Sequence, residues 1–136
     1  MELDYRDHSL VELAKKVNSR ELSAEELIKA SLKNIENVDK EINAFCSINP
    51  ELSIKEAKKV DERISKGENL PLGGLALGVK DLEDAEGYVT AYGSDFHIND
   101  QPAKTDSILV QRLRAAGAIV VGKTNTPEFG YKGVTD

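Results

Sequence analysis

From residue 9 to residue 66 apolar side chains return every three or four positions, and from Gly67 onward they gather into short β-branched runs separated by glycine. The first pattern predicts helices. Ser9 precedes Leu10, Leu13, Ala14 and Val17, one apolar stripe at helical spacing. Ser23-Ala24-Glu25-Glu26 is a capping box, in which the serine hydroxyl accepts from a backbone N–H three residues on and Glu26 reaches back to the cap. Behind it Ala24, Leu27, Ile28, Ser31, Ile35 and Val38 share a face, while Lys29, Lys33 and Glu36 point to solvent. Asn49-Pro50 supplies a cap and a first-turn proline for a third helix, whose stripe of Ile54, Ala57, Val60 and Ile64 ends at Gly67.

The second pattern predicts a strand over Leu75–Val79, a helix over Asp106–Ala116 with Ile108, Leu109, Val110 and Leu113 inward, and a strand over Ala118–Val121. A weaker strand is expected over 42–48. Strand, crossover, helix and strand form a parallel unit, and strands buried on both faces need helices to cover them. The fold class is therefore α/β: N-terminal helices packed on a partial, mixed or mainly parallel sheet. Residues 1–66 form the helical layer and 67–136 the strand-helix-strand part. In such sheets ligands bind beyond the carboxyl ends of the strands, where Lys80 and Lys123 emerge.

Composition narrows the partners. At 136 residues the chain has the length of one domain, and a formal charge of −6 leaves no electrostatic footprint for nucleic acid or an anionic membrane. Cys46 is the single cysteine and, beside Ala44, Phe45 and Ile48, is expected to be a small buried hydrophobe. The first residues lack the apolar core of a signal peptide and no run approaches a membrane span, so a cytoplasmic location is expected.

Several motifs compete for the chemistry. Gly117 to Thr124 spells the phosphate-loop pattern GxxxxGK[ST], but its middle reads as a strand and Pro127 discourages a helix after Lys123, so the backbone N–H groups cannot converge on an anion. Ser94, Asp95 and His97 contain the members of a hydrolytic triad, yet they are neighbours on one loop, whereas triads converge from distant segments. Asp81, Glu83, Asp84 and Glu86 lack the glycine-punctuated frame of a calcium loop and read as a solvated acidic loop; no metal or cofactor is expected. Lys123 is expected to be a structural partner to a carboxylate. Lys80 is the candidate for chemistry, since a lysine held where apolar residues exclude water can lose its proton near neutral pH and act as a base.

The run Leu75 to Asp81, then Thr90-Ala91-Tyr92-Gly93-Ser94, Asp106 to Ala118 and Gly122 to Gly130 resemble, in order and spacing, segments of the amidase signature family. Leu22 to Leu27 is similar to that family's first amphipathic helix, so the resemblance covers nearly the whole chain. It implies a fragment of the amidase signature fold and hydrolysis of C–N amide bonds; the family includes the amidotransferase subunit that releases ammonia from glutamine for tRNA-bound substrates. It also implies a catalytic set of a lysine, a bridging serine with a cis peptide bond and a nucleophilic serine, with Lys80 matching the lysine. A neutral lysine takes the proton of the bridging serine, which takes that of the nucleophile. Such a base must not be held by a carboxylate, and Asp81, next along the strand, points to the other face.

Ala76 and Thr126 depart from the proline and methionine common at their positions, and the family's two serines lie in a Gly/Ser-rich stretch of which residues 1–136 contain none. The resemblance therefore implies a single incomplete amidase-family domain, the N-terminal portion of an amidase, with Lys80 as general base, inactive alone and acting on a small-molecule amide once completed. The alternative is a non-catalytic α/β module for binding or assembly. So small a sheet is also expected to leave Ile119, Val121 and Phe129 exposed and to promote self-association.

Overall fold

A computed structural model describes residues 3–135. After a 3-10 turn at Tyr5–Asp7 come α1 (Leu10–Asn18), α2 (Ala24–Ile42), β1 (Phe45–Ser47), α3 (Pro50–Ser65), β2 (Ala76–Lys80), α4 (Ile108–Ala115) and β3 (Ile119–Thr124), with a second 3-10 turn at Glu128–Gly130.

The helix starts lie where the capping residues put them. Ser23 Oγ accepts from Glu26 N at 3.0 Å while Ser23 N donates to Glu26 Oε2 at 2.9 Å. Ser9 and Glu12 form the same reciprocal pair, and Asn49 Oδ1 accepts from Leu52 N ahead of Pro50. Each cap satisfies N–H groups that have no partner within the helix and contributes about 1 kcal/mol. Helix α4 starts two residues later than predicted because Ser107 caps it; Asp106 instead accepts from Glu86 N and pairs with Arg114.

The sheet has the order β1-β3-β2, with β3 parallel to β2 and antiparallel to β1, so it is mixed. On one face α1, α2 and α3 bury Leu13, Leu27, Ile28, Val60 and Ile64 against Ile119 and Val121. On the other, Val79 and Val120 pack with Ala85, Tyr88 and Val110. The prediction that Ile119 and Val121 lie open is corrected: they are 0% and 3% exposed, because the helical layer already covers that face. Phe129 is 56% exposed, as expected.

Three further expectations are corrected. Of the residues expected inward on α4 only Val110 is buried; Ile108 and Leu109 are exposed, since a helix of eight residues crossing a narrow sheet offers it one turn. Leu10, the first residue of α1, and Val38, toward the C-terminal end of α2, are likewise exposed. Cys46 is exposed, because β1 is an edge strand of three residues.

Candidate active site

Strand β2 runs one residue further than predicted and ends on Lys80, paired in register with Thr124. Lys80 is exposed, and among the described residues its side chain makes no hydrogen bond or ion pair. The ladder fixes the backbone at Lys80, and the described residues leave its amine open to water instead of in the apolar surroundings expected from the sequence.

The neighbouring Asp81 is buried and bound through Oδ1. Lys123 Nζ donates to Asp81 Oδ1 at 3.1 Å, to Thr90 Oγ1 at 3.1 Å and to the Val89 carbonyl at 3.3 Å, so all three ammonium protons have acceptors. Asp81 Oδ1 also accepts from Ala91 N at 3.0 Å, and Thr90 Oγ1 donates to Asp84 Oδ1 at 2.7 Å. Lys123 is fully buried, and its pairing with a carboxylate is the structural role expected from the sequence.

A bulge makes this possible. Leu77 pairs with Val120 but Gly78 pairs with Gly122, so Val121 is an extra residue on β3 and the side-chain alternation slips by one. Ile119 and Val121 face the helices, and past the bulge Lys123 sits beside Val79 on the opposite face, where Asp81 also points. Without the slip, strict alternation would turn Lys123 toward the helical layer and away from Asp81. Gly122 is required at this crossing: a Cβ there would lie 2.6 Å from Ser47 O and 2.7 Å from a Phe45 ring carbon.

The loop after Asp81 returns across the strand ends. Tyr92 N donates to Asp81 O at 3.0 Å and Phe129 N to Tyr92 O at 2.7 Å. Tyr92 and Phe129 both adopt the left-handed region, with φ of 55° and 51°, and their rings stack at 5.9 Å. Between Tyr92 and Ser94 the backbone presses on Thr126 O so closely that only glycine fits at 93, where φ is 65°. A cleft of about 470 Å³ opens beside this loop, lined by Cys46, Asn49, Asp81, Ser94, Asn125 and Thr126. Lys80 does not line it.

The competing motifs do not assemble. Ser94 Oγ accepts from Phe96 N, whereas the His97 ring pairs with Asp100 at 2.8 Å, so these residues form a turn and not a triad. Lys123 lies inside β3, with a three-residue 3-10 turn as the next helical element, so the phosphate-loop spelling lacks its helix. Asp81 and Asp84 are occupied by the lysine network, and among the described residues no cluster of His, Cys, Asp or Glu is arranged to hold a metal ion. Cys46 Sγ donates to Lys123 O at 3.4 Å, and partial burial of the sulfur, with the Asp81 charge second, pushes the thiol above its usual range.

A family model described as Amidase matches residues 26–136. The chain belongs to the amidase family. A glutamyl-tRNA(Gln) amidotransferase subunit from Methylobacillus flagellatus is 40% identical over 123 residues, which are 90% of this chain and 25% of that protein. The peptide amidase of Stenotrophomonas maltophilia superposes with a TM-score of 0.82 at 34% identity, covering 92% of this chain and 26% of its own. A bacterial aryl acylamidase of the amidase signature family superposes with a TM-score of 0.85 at 26% identity, covering 95% and 27%. The chain thus spans about a quarter of the length of the relatives it matches, and its helices and mixed sheet are a fragment of the amidase signature fold. No helix among the described residues is long and apolar enough to cross a membrane.

Proposed function

We propose that residues 1–136 supply the general-base part of a serine amidase, in which Lys80 accepts a proton from a bridging serine and a second serine attacks the amide carbonyl. Both serines belong to a Gly/Ser-rich segment outside these residues. The observation that carries the reading is the separation of charges at the strand ends: Lys80 is unpaired among the described residues while the adjacent Asp81 carboxylate is held by Lys123 on the other face. A lysine base must be free of a carboxylate to accept a proton, and this arrangement keeps it so. The water exclusion that such a base also needs falls to the serine-bearing part of the fold. The substrate is a small amide, and the protein acts in the cytoplasm.

The test is completion. Purified alone, the chain hydrolyses no simple aliphatic or aryl amide above buffer, because a base without nucleophile and oxyanion donors has nothing to activate or stabilise. Fused in place of the matching quarter of the Methylobacillus relative, it restores amide hydrolysis. Turnover by the isolated chain that disappears on Ser94→Ala would overturn the proposal and assign the nucleophile to the loop. An assembly role is the second reading, favoured by the exposure of Phe96 at 90% and Tyr131 at 93%; it expects a dimer or larger species by light scattering and an inert fusion.

A further inference from the structure

The reading of Lys80 as a base requires that something keep Asp81 from it, and the structure identifies what does so. We infer that Lys123 is a positioning residue for Lys80: its ammonium holds the Asp81 carboxylate on the far face of β2 and, through the same contacts, fixes the Val89–Ser94 loop. The inference rests on the proposed function of Lys80 and goes beyond it by giving a role in the site to a lysine that touches no reacting group.

Asp81 is where three segments meet. Its backbone N–H donates to Thr124 O of β3, its carbonyl accepts from Tyr92 N, and its side chain accepts from Ala91 N, each at 3.0 Å. Those contacts are compatible with a buried carboxylate only while a counter-charge lies beside it. Lys123 provides that charge from the neighbouring strand, at 3.1 Å, and adds bonds to Val89 O and Thr90 Oγ1. Among the described residues Asp81 has no other cation in contact. Without Lys123 the carboxylate must turn out toward water, on a strand end whose adjacent residue is the unpaired Lys80. An Asp81–Lys80 pair would then occupy the amine meant to accept a proton, and the loop would lose its anchor. The bulge at Val121 has its purpose here, since it brings Lys123 to this face.

Amide hydrogen exchange and the side-chain Cε resonance of Lys80, both read by NMR on the 136-residue chain, test the inference. In Lys123→Met we expect protection at Asp81, Ala91 and Tyr92 to fall about 10- to 100-fold more than at Ile28 and Val60 in the helical layer, and the Lys80 Cε signal to move. In the double variant Lys123→Met, Asp81→Asn, the amide still accepts from Ala91 N without leaving a buried charge, so local protection and the Lys80 signal return toward those of the parent. A merely structural lysine predicts a uniform loss across all elements with the Lys80 signal unmoved, and that result overturns the inference. Should Lys123→Met not fold, Asp81→Asn alone is read in the same way: loss confined to the Val89–Tyr92 loop supports the inference and uniform loss sinks it. Lys80→Ala leaves these exchange rates unchanged and is read only through amide hydrolysis, so the two readings fail by different measurements.

Discussion

Replacing Lys123 by methionine keeps most of the side-chain volume and removes one charge, and its cost follows from what remains behind. Asp81, 3% exposed, loses its counter-ion, and Val89 O loses its side-chain donor. Breaking a buried ion pair from one side costs about 3–5 kcal/mol, because the surviving charge is left without compensation. The unfolding entropy of 136 residues is about 0.3 kcal/mol/K, so the melting temperature should fall by about 10–17 °C. An exposed pair is the control. Lys66 and Glu62 meet at 3.2 Å with side chains 70% and 64% exposed, and Lys66→Met should cost under about 0.5 kcal/mol. Urea titration followed by circular dichroism measures both, and adding Asp81→Asn closes a double-mutant cycle. The double variant should be more stable than Lys123→Met alone, since no unpaired charge remains. A Lys123→Met cost below about 1 kcal/mol, or a double variant less stable than the single, would refute the reasoning that the pair is dry and mutually dependent.

Two other outcomes follow from the packing. Gly122→Ala forces a methyl against Ser47 O and the Phe45 ring, so we expect about 1–3 kcal/mol of destabilisation with early proteolysis at β1; a melt unchanged from the parent would show that β1 yields freely. Burial raises the Tyr5 phenol above the ordinary tyrosine range, and its hydroxyl donates to Leu27 O at 3.3 Å. A raised folded-state value means that this group's contribution to stability is complete below about pH 10 and is lost as pH climbs further. Ultraviolet titration should therefore show Tyr5 ionising late, and an ordinary titration of Tyr5 would contradict its burial.

Much of this architecture is legible because local chemistry and tertiary packing agree. Ser23 with Glu26, and Asn49 with Pro50, mark helix starts through backbone N–H groups that need partners, and the structure uses each of them. The β-branched runs mark β2 and β3, although both extend further than their apolar cores because Lys80 and Lys123 continue the ladder. What sequence does not show is phase. The slip at Val121 depends on β3 meeting Gly78, Phe45 and Ser47 at once, and it decides which face receives Lys123. A carboxylate partner for Lys123 is expected from the sequence, but Asp81 and Thr90 can be named only once the loop is seen to fold back over the strand ends. The covered state of Ile119 escapes the sequence for a related reason: counting strands leaves out the helices that lie on them.

The most direct test of the central claim is the rate of amide hydrolysis by the fusion that completes the fold, measured for the parent sequence and for Lys80→Ala. A general base contributes about 10²- to 10⁴-fold, so kcat/KM should fall by at least that much in a fusion whose circular dichroism shows it still folded. A Lys80→Ala fusion that hydrolyses amides at the parent rate would contradict the account and remove Lys80 from the chemistry.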